Sequence, residues 1–237
     1  MVKKSYFRFF SGYYNLLLAF LFALFILRPY DRGVIYQGVW KFILIAVLVA
    51  AIFNCKHSKR IKCLVTVLAI PVVLFSWTNL FIRTDIIFVL KAMSTILFML
   101  ISTASIIHDV VLRARVTFET LRGVVCAYFM VAFAFAYAYY LIEYIHPGSM
   151  HIANKEISVL TYSHYLSVML YFSFITLLTI GFGDIVAVSD VGQTVAVIEG
   201  IIGQFYIAIL VARLVSVYSF LSDKRLLRVL EKDISKM

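Results

Sequence analysis

Charge is scarce in this 237-residue sequence: Asp, Glu, Lys and Arg make up 14% of it, and only 12 of those residues are acids. With 63% hydrophobic residues and a mean hydropathy of +0.98, the chain lies far from an ordinary soluble domain and reads as mostly lipid-embedded. Cysteine is scarce as well. Cys55, Cys63 and Cys126 are odd in number and show no metal-ligand spacing, which argues against a disulfide framework or a zinc module. No nucleophile–base arrangement or metal motif stands in a water-accessible setting, so the sequence offers nothing for an enzyme or a bound cofactor to work with.

What the sequence has instead is long apolar runs. A helix needs about 20 apolar residues to cross roughly 30 Å of hydrocarbon, and six stretches qualify: 9–27, 34–53, 63–82, 86–107, 124–145 and 192–215. The first follows Lys3 and Lys4 but is long, Phe-rich and without a small-residue cleavage site, so it is expected to be a retained helix rather than a signal peptide. Lys and Arg cluster on one side: Lys3, Lys4, Arg8, then Lys56, Lys59, Arg60, Lys62, then Arg113, Arg115, Arg122, and a basic C-terminal group from Arg213 to Lys236. The other side has Arg28, Arg32, Arg83 and Lys155. The asymmetry predicts that both termini are cytoplasmic. It also assigns the net charge of +10 to contacts with anionic lipid headgroups and not to nucleic acid.

Between the last two runs lies Thr179-Ile180-Gly181-Phe182-Gly183-Asp184. A potassium ion crossing a membrane must trade its hydration shell for protein oxygens, and rings of backbone carbonyls do this. Gly181 and Gly183, lacking Cβ, reach φ/ψ combinations closed to other residues and so can turn successive carbonyls toward one axis. Thr179 adds a hydroxyl as the innermost ligand. Phe182 is expected to point away from the axis and brace the loop, and Asp184 to sit at the mouth. Non-helical backbone at this depth requires protein or a water-filled cavity beside it, so the segment reads as a re-entrant loop.

This motif resembles the signature of the pore-loop potassium channels, and the resemblance runs from about Val124 to Tyr218. It implies a pore helix over 165–178, with Tyr171-Phe172 where many members carry an aromatic pair. It also implies K+ sites at Thr179, Ile180, Gly181 and Phe182, and assembly as a homotetramer, since one filter strand supplies one wall of a pore. Gly192 and Gly203 fall on two glycines of the inner helix in simple bacterial members. The departures are Leu178 for the threonine often found before the filter, Phe182 for the commoner tyrosine, and Ile175 where some members place a glutamate that pairs with the filter aspartate.

Six spans with the pore last is the layout of the voltage-gated relatives, yet 86–107 lacks their repeated arginines and holds only Lys91. Lys91 and Lys41 lie roughly 8 and 10 Å from the outer helix ends and are expected to snorkel toward Asp85 or Asp31, which predicts weak voltage dependence. Residues 108–123 form an amphipathic linker, either a surface helix or a coupling helix. Glu199 is the only acid deep in the inner helix; it either lines the pore or bonds behind the pore helix to Thr176, Tyr171 or Gln204. Gly200 is expected to serve close packing and Gly203 a hinge or bend. Glu143, Glu156, Asp184 and Asp190 would concentrate cations at the mouth. His146, His151 and His164 show no tight metal spacing.

The expected fold is therefore an all-α membrane protein with six transmembrane helices and a re-entrant pore helix and filter between the last two. Its parts are a four-helix domain (1–107), the linker (108–123), a pore domain (124–218) and a short cytoplasmic tail (219–237). The tail, too short for a ligand-binding domain of the usual size, either bundles or lies on the membrane surface. Lipid, tension, pH, voltage at the filter or a separate regulatory partner are left as gating signals. The resemblance implies a potassium-selective channel of a bacterial inner membrane. A non-selective monovalent cation channel and a non-conducting subunit of the same fold are the alternatives.

Overall fold

The structure, a computed structural model, describes residues 13–27, 34–54, 59–78, 85–112, 118–153 and 162–234. Among these residues are seven helices and a two-stranded sheet: α1 (Tyr13–Ile26), α2 (Val34–Asn54), α3 (Lys59–Thr78), α4 (Asp85–Leu112), α5 (Phe118–Ile145), β1 (Met150–Ile152), α6 (Tyr162–Leu177), β2 (Ile185–Ala187) and α7 (Asp190–Ile234). Four helical stretches are long and apolar enough to cross a membrane: Lys59–Trp77, Ile86–Val110, Glu119–Ile145 and Asp190–Ala212. The apolar stretches Tyr14–Ile26 and Gly38–Asn54 are shorter, and part of the expected first span lies outside the described residues.

α5 is the centre of the molecule. Cys126, Ala127, Met130, Ala132, Phe133, Ala136 and Tyr139 along it are all buried, and 61% of its apolar stretch is covered, against 11% for α7. Its most extensive partner is α4. α4 buries the small residues Ala92, Thr95, Ser102 and Ser105 and α5 buries Ala127, Ala132 and Ala136; small side chains let apolar helices approach when lipid tails offer no hydrophobic drive. α1 packs on another side of α5: the Tyr14 ring fills the space a Cβ on Gly123 would need (3.2 Å). An aromatic cluster joins the same helices to α6, with Phe25 edge-on to Phe174 at 4.9 Å and Phe129 5.1 Å from Phe174. The first helix therefore touches the helix that carries the loop.

The helices outrun the apolar runs that foretold them. Residues 108–112 continue α4 and 118–123 open α5, so the stretch expected as one amphipathic linker is divided between two spans, with 113–117 outside the described residues. The tail is likewise continuous with α7, a 45-residue helix. At about 1.5 Å per residue this helix is roughly twice as long as a single crossing of the hydrocarbon needs. α7 starts sharply because Ser189 caps it: the Ser189 hydroxyl accepts the Gly192 N–H at 3.1 Å, its carbonyl accepts Gln193 N–H at 2.9 Å, and Asp190 complements the helix dipole.

Candidate functional site

The loop begins where α6 runs out of helix. Leu178 N–H still reaches the Phe174 carbonyl (2.9 Å), but Thr179 N–H turns back to Thr176 (2.9 Å), and Thr179 takes a φ of 56°. A β-branched residue is an outlier in the left-handed region. From there the sign of φ alternates: positive at Thr179, Gly181 (55°) and Gly183 (79°), negative at Ile180 and Phe182. Only glycine takes such values without strain, which accounts for two of the three positions. The lower loop is pinned to α6, because Ile180 N–H (2.8 Å) and Gly181 N–H (3.2 Å) both donate to the Ile175 carbonyl.

The upper end is held by the short sheet. Met150, His151 and Ile152 pair antiparallel with Ala187, Val186 and Ile185, and Ala153 N–H donates to the Asp184 carbonyl at 2.8 Å. Glu143, at the end of α5, holds the turn that leads into β1: its Oε1 accepts Gly148 N–H at 2.8 Å and its Oε2 accepts Met150 N–H at 2.9 Å. The expectation that Glu143 concentrates cations at the mouth is corrected here. It is buried and its oxygens are committed to backbone donors.

Behind the loop, three helices meet on one carboxyl group. Glu199 of α7 is completely buried; its Oε2 accepts the Tyr139 hydroxyl of α5 at 2.6 Å, and its Oε1 bonds the Ser173 hydroxyl of α6. Ser173 also lies 2.8 Å from the Ala132 carbonyl. Of the two expectations for Glu199, the bonds within the chain match the one that placed it behind α6. Its partners are Ser173 and Tyr139 rather than Thr176, Tyr171 or Gln204. A second knot forms at Leu177, the last residue of α6, whose carbonyl accepts the Tyr128 hydroxyl at 3.0 Å. A Cβ on Gly203 would stand 2.2 Å from that same oxygen. Gly203 is thus the residue of close approach, whereas a Cβ on Gly200 meets nothing within 4 Å, so the close packing expected at Gly200 is found at Gly203. One turn further, the Tyr206 hydroxyl donates to the Val124 carbonyl of α5.

Of the residues singled out from sequence, Thr179, Ile180, Gly181, Phe182, Gly183 and Asp184 form one continuous loop, exposed on the side that this chain does not cover. Phe182 is 69% exposed, so any bracing by its ring must come from outside the chain. Thr176 contributes its carbonyl to the loop and Tyr171 is half-buried on α6. The sequence reading did not single out Ser173, Tyr139 and Tyr128. Their one legible signal was a hydroxyl within an apolar helix, which must find a partner. The sheet left no signal beyond three-residue strands. Residues 125–220 match a protein-family model described as an ion channel. This ion channel match spans nearly all of α5, then α6, the loop, the short sheet and α7 as far as residue 220. It is a match to an ion channel family and not to an enzyme family, and it supports passive ion conduction. No curated protein and no solved structure matches the chain.

Proposed function

We propose that this chain is one subunit of a homotetrameric potassium channel, with K+ held at Thr179, Ile180, Gly181 and Phe182 by backbone carbonyls and the Thr179 hydroxyl. The observation that carries the reading is the alternating sign of φ from Thr179 to Gly183 directly after a buried helix. In an extended strand successive carbonyls point to opposite sides; alternating left- and right-handed conformations turn them to the same side, which is what a column of dehydrated cations requires. α6 ends at Leu177, so the negative end of its dipole lies next to the innermost position.

What a single copy leaves uncovered supports the tetramer. On α7, Gly192, Glu199 and Gly203 form the stripe turned into the chain, while Val197, Ile198, Ile201, Ile202, Phe205 and Ile209 are exposed together with the loop. An apolar face adjoining an exposed polar loop suits an interface around an axis better than it suits lipid. Six spans, with cytoplasmic termini and the loop opening outward, complete the proposal, in a bacterial inner membrane and with lipid and K+ as its only required partners. Conduction needs no cofactor, and any regulatory partner would be a separate protein.

Purified protein reconstituted in liposomes tests this. An outward potassium gradient should make the liposome interior negative and drive uptake of a membrane-permeant cationic dye, cross-linking should stop at four copies, and Gly181→Ala should abolish the flux without dissociating the tetramer. Equal flux of sodium would make the pore a non-selective cation channel. Flux surviving Gly181→Ala would remove the loop from the conduction path.

A further inference from the structure

The inner helix between Val195 and Ala212 is apolar except for Glu199, Tyr206 and Gln204, and the first two are tied behind the loop. Gln204 is not. It is exposed on the uncovered side of α7, next to Gly203, and its Nε2 lies 3.1 Å from Thr179 Oγ1. We propose that Gln204 is the positioning residue of the innermost cation site, fixing the Thr179 hydroxyl with one lone pair turned to the ion. The inference rests on the channel reading above and names a part of that site which the motif alone does not contain.

Hydrogen-bond accounting sets the orientation. The Thr179 hydroxyl has one proton and two lone pairs, and the proton is committed to the Leu178 carbonyl at 2.7 Å. The group facing Oγ1 from α7 must therefore be a donor, which makes the contact Gln204 Nε2–H to Oγ1. One lone pair is then occupied and one is left. Leu178 carbonyl, Thr179 hydroxyl and Gln204 amide form a chain with a single direction, so the hydroxyl cannot rotate its proton toward the pore without breaking a bond at each end.

This control is useful at Thr179 because its backbone is the non-glycine exception in the loop, at a φ of 56°. A β-branched residue there is held by its surroundings and not by its own preference. Its N–H goes to Thr176, but its side chain has Gln204 as its contact from outside the α6 loop. Gly203 and Gln204 act in sequence: the missing Cβ at Gly203 lets α7 close on Leu177, and the next residue then reaches the loop two residues beyond. A leucine of similar size would keep the contact area but not the donor. Asparagine keeps the donor on a stem one methylene shorter.

The test uses the full-length channel in planar bilayers, with barium applied from the cytoplasmic side as the probe: a divalent cation of nearly potassium's size, read out as block of potassium current. Gln204→Leu and Gln204→Asn should each weaken block by at least about fivefold, the effect of one lost hydrogen bond. In a Thr179→Ala background the same Gln204 substitutions should change block less than twofold, because the group they act on is gone. Unchanged block in both Gln204 variants, or an equal change with and without the Thr179 hydroxyl, overturns the assignment while leaving the channel reading intact. A wild-type protein that passes no potassium current overturns the channel reading itself, and this inference with it.

Discussion

Gly203→Ala should damage this protein far more than a one-methyl change suggests. The added Cβ would stand 2.2 Å from the Leu177 carbonyl oxygen, 3.1 Å from its carbon and 3.2 Å from its Cα. Carbon and oxygen ordinarily settle no closer than about 3.3 Å, so α7 and the end of α6 must part by about 1 Å. Neither side yields easily: the atoms on the far side are backbone, and Leu177 is tied by the Tyr128 hydroxyl and lies two residues before Thr179. Overpacking of this kind costs about 1–3 kcal/mol, and in the proposed tetramer the cost falls on every subunit. The displacement also reaches Thr179. Fluorescence-detected size exclusion after heating should show a lower midpoint for the assembly, and single-channel recording should show reduced conductance or open time. Gly200→Ala is the internal control: its Cβ meets nothing within 4 Å, and helix propensity favours it by about 1 kcal/mol. If Gly203→Ala matches wild type in both thermal stability and conduction, the close approach at Leu177 is not what fixes α6, and the packing argument fails.

Glu199→Ala should lower thermal stability by about 1–3 kcal/mol through the Tyr139 hydroxyl it leaves buried and unpaired, while Ser173 keeps the Ala132 carbonyl as its partner. Glu199→Gln, which can still meet both, should cost less; equal melting midpoints for the two would refute the three-helix brace. Glu143→Gln removes a charge shared by two backbone N–H donors and should destabilise the outer turn by about 1–3 kcal/mol, measured as faster hydrogen exchange at Gly148 and Met150. Lys91 is the only Lys or Arg on α4 and supplies at most about 2.3 kcal/mol per 100 mV if it crosses the whole field. The conductance–voltage relation should therefore be shallow, and a steep curve flattened by Lys91→Gln would contradict that.

Much of this architecture was legible because lipid imposes a simple rule on sequence. Apolar runs of about 20 residues announced the helices, and the loop motif announced itself through two glycines whose positive φ no other residue takes cheaply. The boundaries slipped because helix hydrogen bonding does not stop where hydrocarbon does: α4 runs to Leu112 and α7 to Ile234. The burial cost of Glu199 was readable, but its partners were not. Which hydroxyl it meets depends on the rotation of α5 and α6 about their axes, and Ser173 and Tyr139 lie 26 and 60 residues away in sequence. Gly200 and Gly203 offer the same chemistry, and only the register of α7 against Leu177 gives the contact to one of them. The β1–β2 pairing joins three-residue strands across the whole of α6, below anything periodicity can detect.

The most direct test of the central claim is the reversal potential of the purified protein in a planar bilayer, with potassium on one side and sodium on the other. The account predicts a value near the potassium limit in the wild type and loss of that selectivity or of the current in Gly181→Ala. A reversal potential near zero would contradict it, leaving a cation pore whose alternating loop does not select.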